Sequence, residues 1–291
     1  MKIIAYLLVL FSLSFTAWAK KNYTVSKDIP YIDSSVVGFD KASHALDVYA
    51  PDKVVGKKNK VLIFIHGGAW KGGSKDSPRH RSVGKAFASN GIVAVLINYR
   101  VWPETKYYGM AEDCAKAFAW VEKNIEQFGG DKNEIYISGH SAGGHLAALI
   151  TTDSSYLMTQ GFPALTPIKG CILNDPFGLN MLEYLAPGNP VDALLFNIIF
   201  TDLPSEWKKG SPYYHIENDQ VRYYILYGGA TMPSVMEQAK AFYDRNRYLN
   251  NSIEMHMIPF RSHIPMLGVF TRKKGKNLKK VVHFIKQSDE R

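Results

Sequence analysis

Glu134-Ile135-Tyr136-Ile137-Ser138-Gly139-His140-Ser141-Ala142-Gly143-Gly144-His145-Leu146-Ala147-Ala148-Leu149 is the stretch whose reading decides the fold. Residues 134–138 form a short apolar run with strand character. Residues 143–151 are strongly helical, so Gly139-His140-Ser141-Ala142-Gly143 must turn a strand into a helix with almost no connecting chain. Such a turn is sharp and strained. Small residues two positions either side of the serine let strand and helix approach without a clash. Ser141 is therefore the candidate nucleophile. The plainer alternative is a Gly-rich strand-to-helix loop.

Upstream of this turn, Val61 to Ile65 reads as a buried strand ending at His66-Gly67-Gly68, Ser82 to Ser89 as a helix and Ile92 to Ile97 as the next strand. Ala111 to Phe128 carries apolar residues at helical spacing and stops at Gly129-Gly130. Val36 to Phe39 and Ala45 to Tyr49 suggest an antiparallel lead-in pair. Downstream, Ile168 to Leu173, Arg222 to Tyr227 and Ser252 to Pro259 read as strands. Strands alternating with amphipathic helices build a mostly parallel sheet covered on both faces, an α/β fold. The stretch between Leu173 and Arg222 is rich in Pro, Asn and aromatic residues, with an apolar segment Ala193 to Phe200. It reads as a lid-like insertion or as an irregular surface excursion.

A serine hydroxyl is a weak nucleophile, and the oxyanion formed on attacking a carbonyl needs hydrogen-bond donors. His66-Gly67-Gly68-Ala69-Trp70 follows the first strong strand, about 75 residues before Ser141. Its small side chains leave backbone N–H groups free to turn toward the serine. Gly68, Ala69 and Ala142 are the candidate oxyanion donors.

With these residues the chain resembles the esterase/lipase superfamily of α/β-hydrolases that carry an HGGxW motif, in the branch of prenylcysteine methylesterases, arylformamidases and small secreted carboxylesterases. The resemblance runs from about Leu46 to His263. It is densest in HGGAWKGGSK, in Asn98-Tyr99-Arg100 with Pro103-Glu104, and in FGGDKNEIYISGHSAGGHLAAL. It implies an eight-stranded sheet, a triad in the chain order Ser, Asp, His, and hydrolysis of carboxylic esters or related acyl compounds without a cofactor. It also places a base histidine in the loop after the last strand, where this chain has His263. His66, His140, His145 and His256 fit that role less well.

The acid departs from the family pattern. A strand followed by Gly-x-x-Asp is expected, but Tyr227-Gly228-Gly229-Ala230-Thr231 puts Thr231 at the aspartate position. A threonine can orient an imidazole but cannot stabilise its cation with a charge. Asp175, directly after the strand Ile168 to Leu173, is the candidate replacement, and an Asn-Asp-Pro turn residue is its plain alternative. Glu237 is a further candidate.

At 291 residues and 46% hydrophobic content the chain has ample apolar material for one catalytic domain, taken as residues 20–291. Lys2, the apolar run Ile3 to Phe15 and Ala17-Trp18-Ala19 read as a signal peptide, residues 1–19, shorter than the ~20 residues of a membrane-spanning helix. The expected location is therefore periplasmic or extracellular, with no stable membrane insertion of the mature chain. The formal net charge is +9, and only Lys2 is lost with the signal. Much of the basicity lies in Arg272 to Lys280, which reads as the solvated face of a terminal helix and carries no nucleic-acid motif. Cys114 and Cys171 each lie in an apolar periodic run, favouring buried thiols, and no metal site is predicted.

These readings converge on a secreted serine carboxylic-ester hydrolase acting on a small-molecule or polysaccharide-linked ester. The alternatives are an aryl-formamide hydrolase and, because of Thr231, a catalytically impaired hydrolase fold used for binding.

Overall fold

The computed structural model describes residues 22–52, 58–163, 168–186, 192–217 and 221–287. The expected signal peptide, residues 1–19, lies outside them. No helix among the described residues is long and apolar enough to cross a membrane.

The strands are β1 (Tyr23–Pro30), β2 (Ala45–Pro51), β3 (Asn59–Ile65), β4 (Val93–Ile97), β5 (Gly130–His140), β6 (Ile168–Asn174), β7 (Arg222–Gly228) and β8 (Ile253–Ile258). The helices are α1 (Pro78–Ala88), α2 (Tyr107–Asn124), α3 (Ala142–Thr152), α4 (Ser155–Met158), α5 (Met181–Tyr184), α6 (Asp192–Phe200), α7 (Pro204–Lys209), α8 (Pro233–Tyr248), α9 (His263–Met266) and α10 (Lys276–Lys286). The eight strands form one sheet in the order β1-β2-β4-β3-β5-β6-β7-β8. β1 and β2 pair antiparallel, as do β2 and β4, and every other pair is parallel.

The central strands are buried on both faces, which is why they read as unbroken apolar runs. Alternate residues serve opposite layers. Val61, Ile63 and Ile65 of β3 join a core with α2, α3 and α8. Leu62 and Phe64 join a second core with α1 and α10. In α10, Leu278, Val281, Val282 and Ile285 face that core while its lysines stay outside, the amphipathic pattern expected of the basic tail.

The lead-in pair differs from expectation. Ala45–Pro51 is a strand, but its partner is Tyr23–Pro30, and residues 36–39 form turns. Val36 and Val37 are exposed, whereas β1 is an edge strand whose partly solvated face hides its hydrophobic pattern. The helix expected to reach Phe128 ends at Asn124 and continues as a 3-10 turn, Ile125–Phe128, closed by Gly129 in the left-handed region. The insertion after β6 is largely helical, comprising α5, α6 and α7. Cys114 on α2 and Cys171 on β6 are both buried, and no disulfide joins them.

Because β3 and β5 to β8 run parallel, their carboxyl ends lie along one edge of the sheet. The chain leaves that edge at His66, Ser141, Asp175, Gly229 and Pro259. Crevices at the carboxyl ends of parallel strands are the usual ligand sites of open α/β sheets.

Candidate active site

Ser141 sits between β5 and α3 with φ 57° and ψ −125°, a conformation that side chains rarely adopt. The turn is held by the Ser141 N–H, which donates to Asn174 O at 3.3 Å, and by the Phe177 N–H, which donates to Ser141 O at 3.3 Å. A Cβ on Gly139 would lie 2.1 Å from Gly143 O, and one on Gly143 would lie 2.2 Å from Ile65 O. Both contacts are far inside van der Waals distance, so the glycines of the motif are steric requirements.

His263 begins α9 in the loop after β8. Its Nε2 is 2.7 Å from Ser141 Oγ, and its Nδ1 is 2.6 Å from Asp175 Oδ2. A carboxylate only accepts, so Nδ1 carries the proton and Nε2 presents its lone pair to the serine hydroxyl. The imidazole is partly exposed; the Asp175 carboxylate is fully buried. His140 donates from Nε2 to His263 O at 3.0 Å and packs against the His263 ring at a 5.0 Å centroid separation. Burial, reinforced by the neighbouring His263, pushes His140 down to about 4 and keeps it neutral near pH 7.

Asp175 has φ 50° and donates its N–H to Leu226 O at 2.7 Å. Its Oδ1 accepts from the Gly228 N–H at 2.7 Å, and its Oδ2 accepts from Thr231 Oγ1 at 2.5 Å. The two candidates for the place behind His263 are thus separated clearly. Asp175 contacts the imidazole, and Thr231 contacts Asp175. Ala230 N–H donates to Arg261 O at 2.9 Å, tying the loop after β7 to the loop that carries His263. Glu237 is exposed on α8 and is not brought to His263. His256 stays on β8 with Glu254.

The loop after β3 has three consecutive residues at positive φ: Gly68 at 140°, Ala69 at 54° and Trp70 at 58°. A Cβ at Gly68 would lie 2.1 Å from Gly72 O, so the glycine is obligatory. Gly68 O accepts from the N–H groups of Lys71 and Gly72, both at 3.1 Å. The N–H groups of Gly68 and Ala69 have no acceptor among the described residues. Ala142, as the first residue of α3, likewise has no intrahelical acceptor. Gly68, Ala69 and Ser141 line one cavity.

Trp70 anchors this loop from below. It is fully buried, and its Nε1–H donates to His145 Nδ1 at 3.3 Å, while His145 Nε2 donates to Gly210 O at 2.7 Å. Burial holds His145 down near 4, so it keeps the single proton this chain of bonds needs. Four buried or partly buried aromatic rings, His145, Phe177, Phe196 and Phe200, surround the indole edge-on. The roles of His140 and His145 are not apparent from spacing alone. Trp70, Trp102, Tyr107 and Tyr108 do not line the cavity; Trp70 and Tyr107 are core residues.

The cavity over Ser141 is about 520 Å³. Apolar lining comes from the insertion, through Phe177, Tyr184, Leu195 and Phe196, and a polar flank comes from Ser77, Arg79 and His80 at the start of α1. Among the described residues there is no cluster of metal-binding side chains.

The profile of the family BD-FAE matches residues 46–245. A probable carboxylic ester hydrolase, LipM, of Mycobacterium tuberculosis is 29% identical over 260 residues, covering 84% of this chain and 57% of its own. A probable isoprenylcysteine alpha-carbonyl methylesterase of Oryza sativa is 39% identical over 114 residues, 39% of this chain and 26% of its own. The chain spans about half the length of the mycobacterial relatives it matches, at 57%, 54% and 51%. In three dimensions it is similar to a truncated form of a carbohydrate esterase from gut microbiota, with a TM-score of 0.75 at 20% identity over 92% of this chain and 98% of the truncated form. Esterase B of Lactobacillus rhamnosus aligns with a TM-score of 0.74 at 18% identity, over 92% and 86%. The family profile covers more than half of the chain and the fold agrees with it, so the chain belongs to the BD-FAE family and is an α/β-hydrolase of the esterase/lipase kind.

Proposed function

We propose that the chain hydrolyses carboxylic esters through an acyl-enzyme formed on Ser141. The observation that carries this reading is the continuous line from Ser141 Oγ through His263 to Asp175, at 2.7 Å and 2.6 Å. Ser141 Oγ attacks the ester carbonyl carbon while its proton passes to His263 Nε2. Gly68, Ala69 and Ala142 N–H groups hold the oxyanion, and Asp175 stabilises the imidazolium. The adduct collapses by breaking the bond to the alcohol oxygen, which takes the proton from His263. Water then attacks the acyl-serine, gives its proton to His263, and releases the carboxylic acid as the proton returns to Ser141.

A catalytically impaired binding protein has less support, because its premise was a missing carboxylate behind His263. Aryl-formamide hydrolysis would use the same groups on a carbon–nitrogen bond. The matched relatives named as esterases favour the ester. The apolar residues at 3–15 support export, and hence a small or polysaccharide-linked ester outside the cytoplasm.

A fluorophosphonate probe tests the chemistry. One equivalent should bind the purified protein at neutral pH, on the peptide containing Ser141, and S141A should take up none. Absence of labelling in the folded wild type would refute the mechanism. Nitrophenyl esters of rising acyl length, acetylated xylan and methyl ferulate then rank the substrates.

A further inference from the structure

The polar flank of the cavity is unusual for its position. Arg79 is the second residue of α1, where the helix dipole disfavours a cation, and no acidic residue in the first turn offsets it. No carboxylate among the described residues lies in ion-pair reach of Arg79. Yet its side chain lines the same cavity as Ser141. Next to it, His80 is 8% exposed and also lines the cavity. Its Nδ1 is 2.7 Å from Ser74 O, a carbonyl that only accepts, so the proton is on Nδ1 and Nε2 holds a lone pair. That lone pair has no partner among the described residues. Burial and the adjacent Arg79 both disfavour protonation of this ring. This wall of the cavity therefore offers an exposed cation with no carboxylate partner beside an unpartnered hydrogen-bond acceptor.

We infer that this flank is a subsite for an anionic ester: Arg79 takes a carboxylate carried by the substrate, and His80 Nε2 accepts from a hydroxyl beside it. The inference rests on the ester-hydrolase reading and refines its substrate class. A guanidinium matches a carboxylate with two parallel N–H donors.

The carboxylate could belong to the alcohol or to the acyl group, and paired substrates separate the two. O-acetylglycerate is compared with monoacetylglycerol for the alcohol side. Monomethyl glutarate is compared with methyl pentanoate for the acyl side. In one pair the anionic ester should have a kcat/KM about tenfold above its neutral partner, as expected for one charge-assisted contact. That ratio should fall toward one in R79Q, be largely restored in R79K, and shrink as salt is raised. A neutral preference in both pairs overturns the subsite, as does a ratio that R79Q leaves unchanged. Failure to turn over any of the four esters, or nitrophenyl acetate, overturns the esterase reading itself.

Discussion

Replacing Asp175 by Asn keeps the shape of the side chain and removes its charge, and the surrounding bonds dictate the consequence. The carboxylate accepts from Gly228 N–H at 2.7 Å, Thr231 Oγ1 at 2.5 Å and His263 Nδ1 at 2.6 Å. An amide has one oxygen. If that oxygen stays on the Gly228 N–H, the amide nitrogen faces His263 Nδ1, which must surrender its proton to accept. The proton then moves to Nε2, where it opposes Ser141 Oγ and leaves no base. If the amide is reversed, two N–H donors face each other at Gly228, leaving a buried donor unsatisfied at a cost of about 1–3 kcal/mol. The wrong tautomer is therefore the favoured outcome. In serine-protease triads that change lowers kcat by ~10⁴, about 5 kcal/mol of transition-state stabilisation. The assay is nitrophenyl acetate hydrolysis under saturating conditions, with a thermal melt to verify folding and fluorophosphonate labelling rate as a second readout. T231V serves as the graded control: it removes a donor to Asp175 but leaves the charge, so it should lose about tenfold or less. A folded D175N enzyme retaining more than a tenth of wild-type kcat would refute the reasoning.

Two further outcomes are expected from the same geometry. G68A places a Cβ 2.1 Å from Gly72 O at φ 140°, so the loop must move and take a candidate oxyanion donor with it. kcat should fall about 10²–10³-fold with a smaller change in KM, and a loss under threefold in initial-rate measurements argues against the donor role. Acid should weaken the fold before it reaches the carboxylates. Burial holds His66 down to about 3 and His140 and His145 to about 4, against about 6.5 in the unfolded chain. Because the folded values are the lower ones, the unfolded chain binds these protons first. Their contribution is complete above about pH 6.5 and is lost as pH falls toward 4, at about 1.4 kcal/mol per pH unit for each histidine. Urea midpoints should drop steeply between pH 6.5 and 4.5, and a constant midpoint would contradict the neutral buried state.

What the chain declares locally is the part of the site made from single turns. Ser141 is readable because its strand, its glycines and its helix are contiguous, and the glycines at 139 and 143 answer to clashes within one short segment. The loop Gly67 to Trp70 is readable for the same reason, since its positive-φ backbone is built from neighbouring residues. The parallel sheet follows from strands apolar on both faces. Where that signal weakens, as in the half-solvated edge strand β1, the lead-in strand is misplaced to Val36 to Phe39.

The acid is different. Asp175 and His263 are 88 residues apart, and nothing near either one names the other. They meet because β6, β7 and β8 lie side by side and deliver their carboxyl ends to one edge, with Thr231 as a further donor to Asp175. The polar flank of Arg79 and His80 also exists only in three dimensions, since α1 follows β3 and the apolar wall comes from an insertion after β6. Local sequence determines which backbone can bend around Ser141; only the packing of distant strands decides which charge stands behind its base and what the cavity can hold.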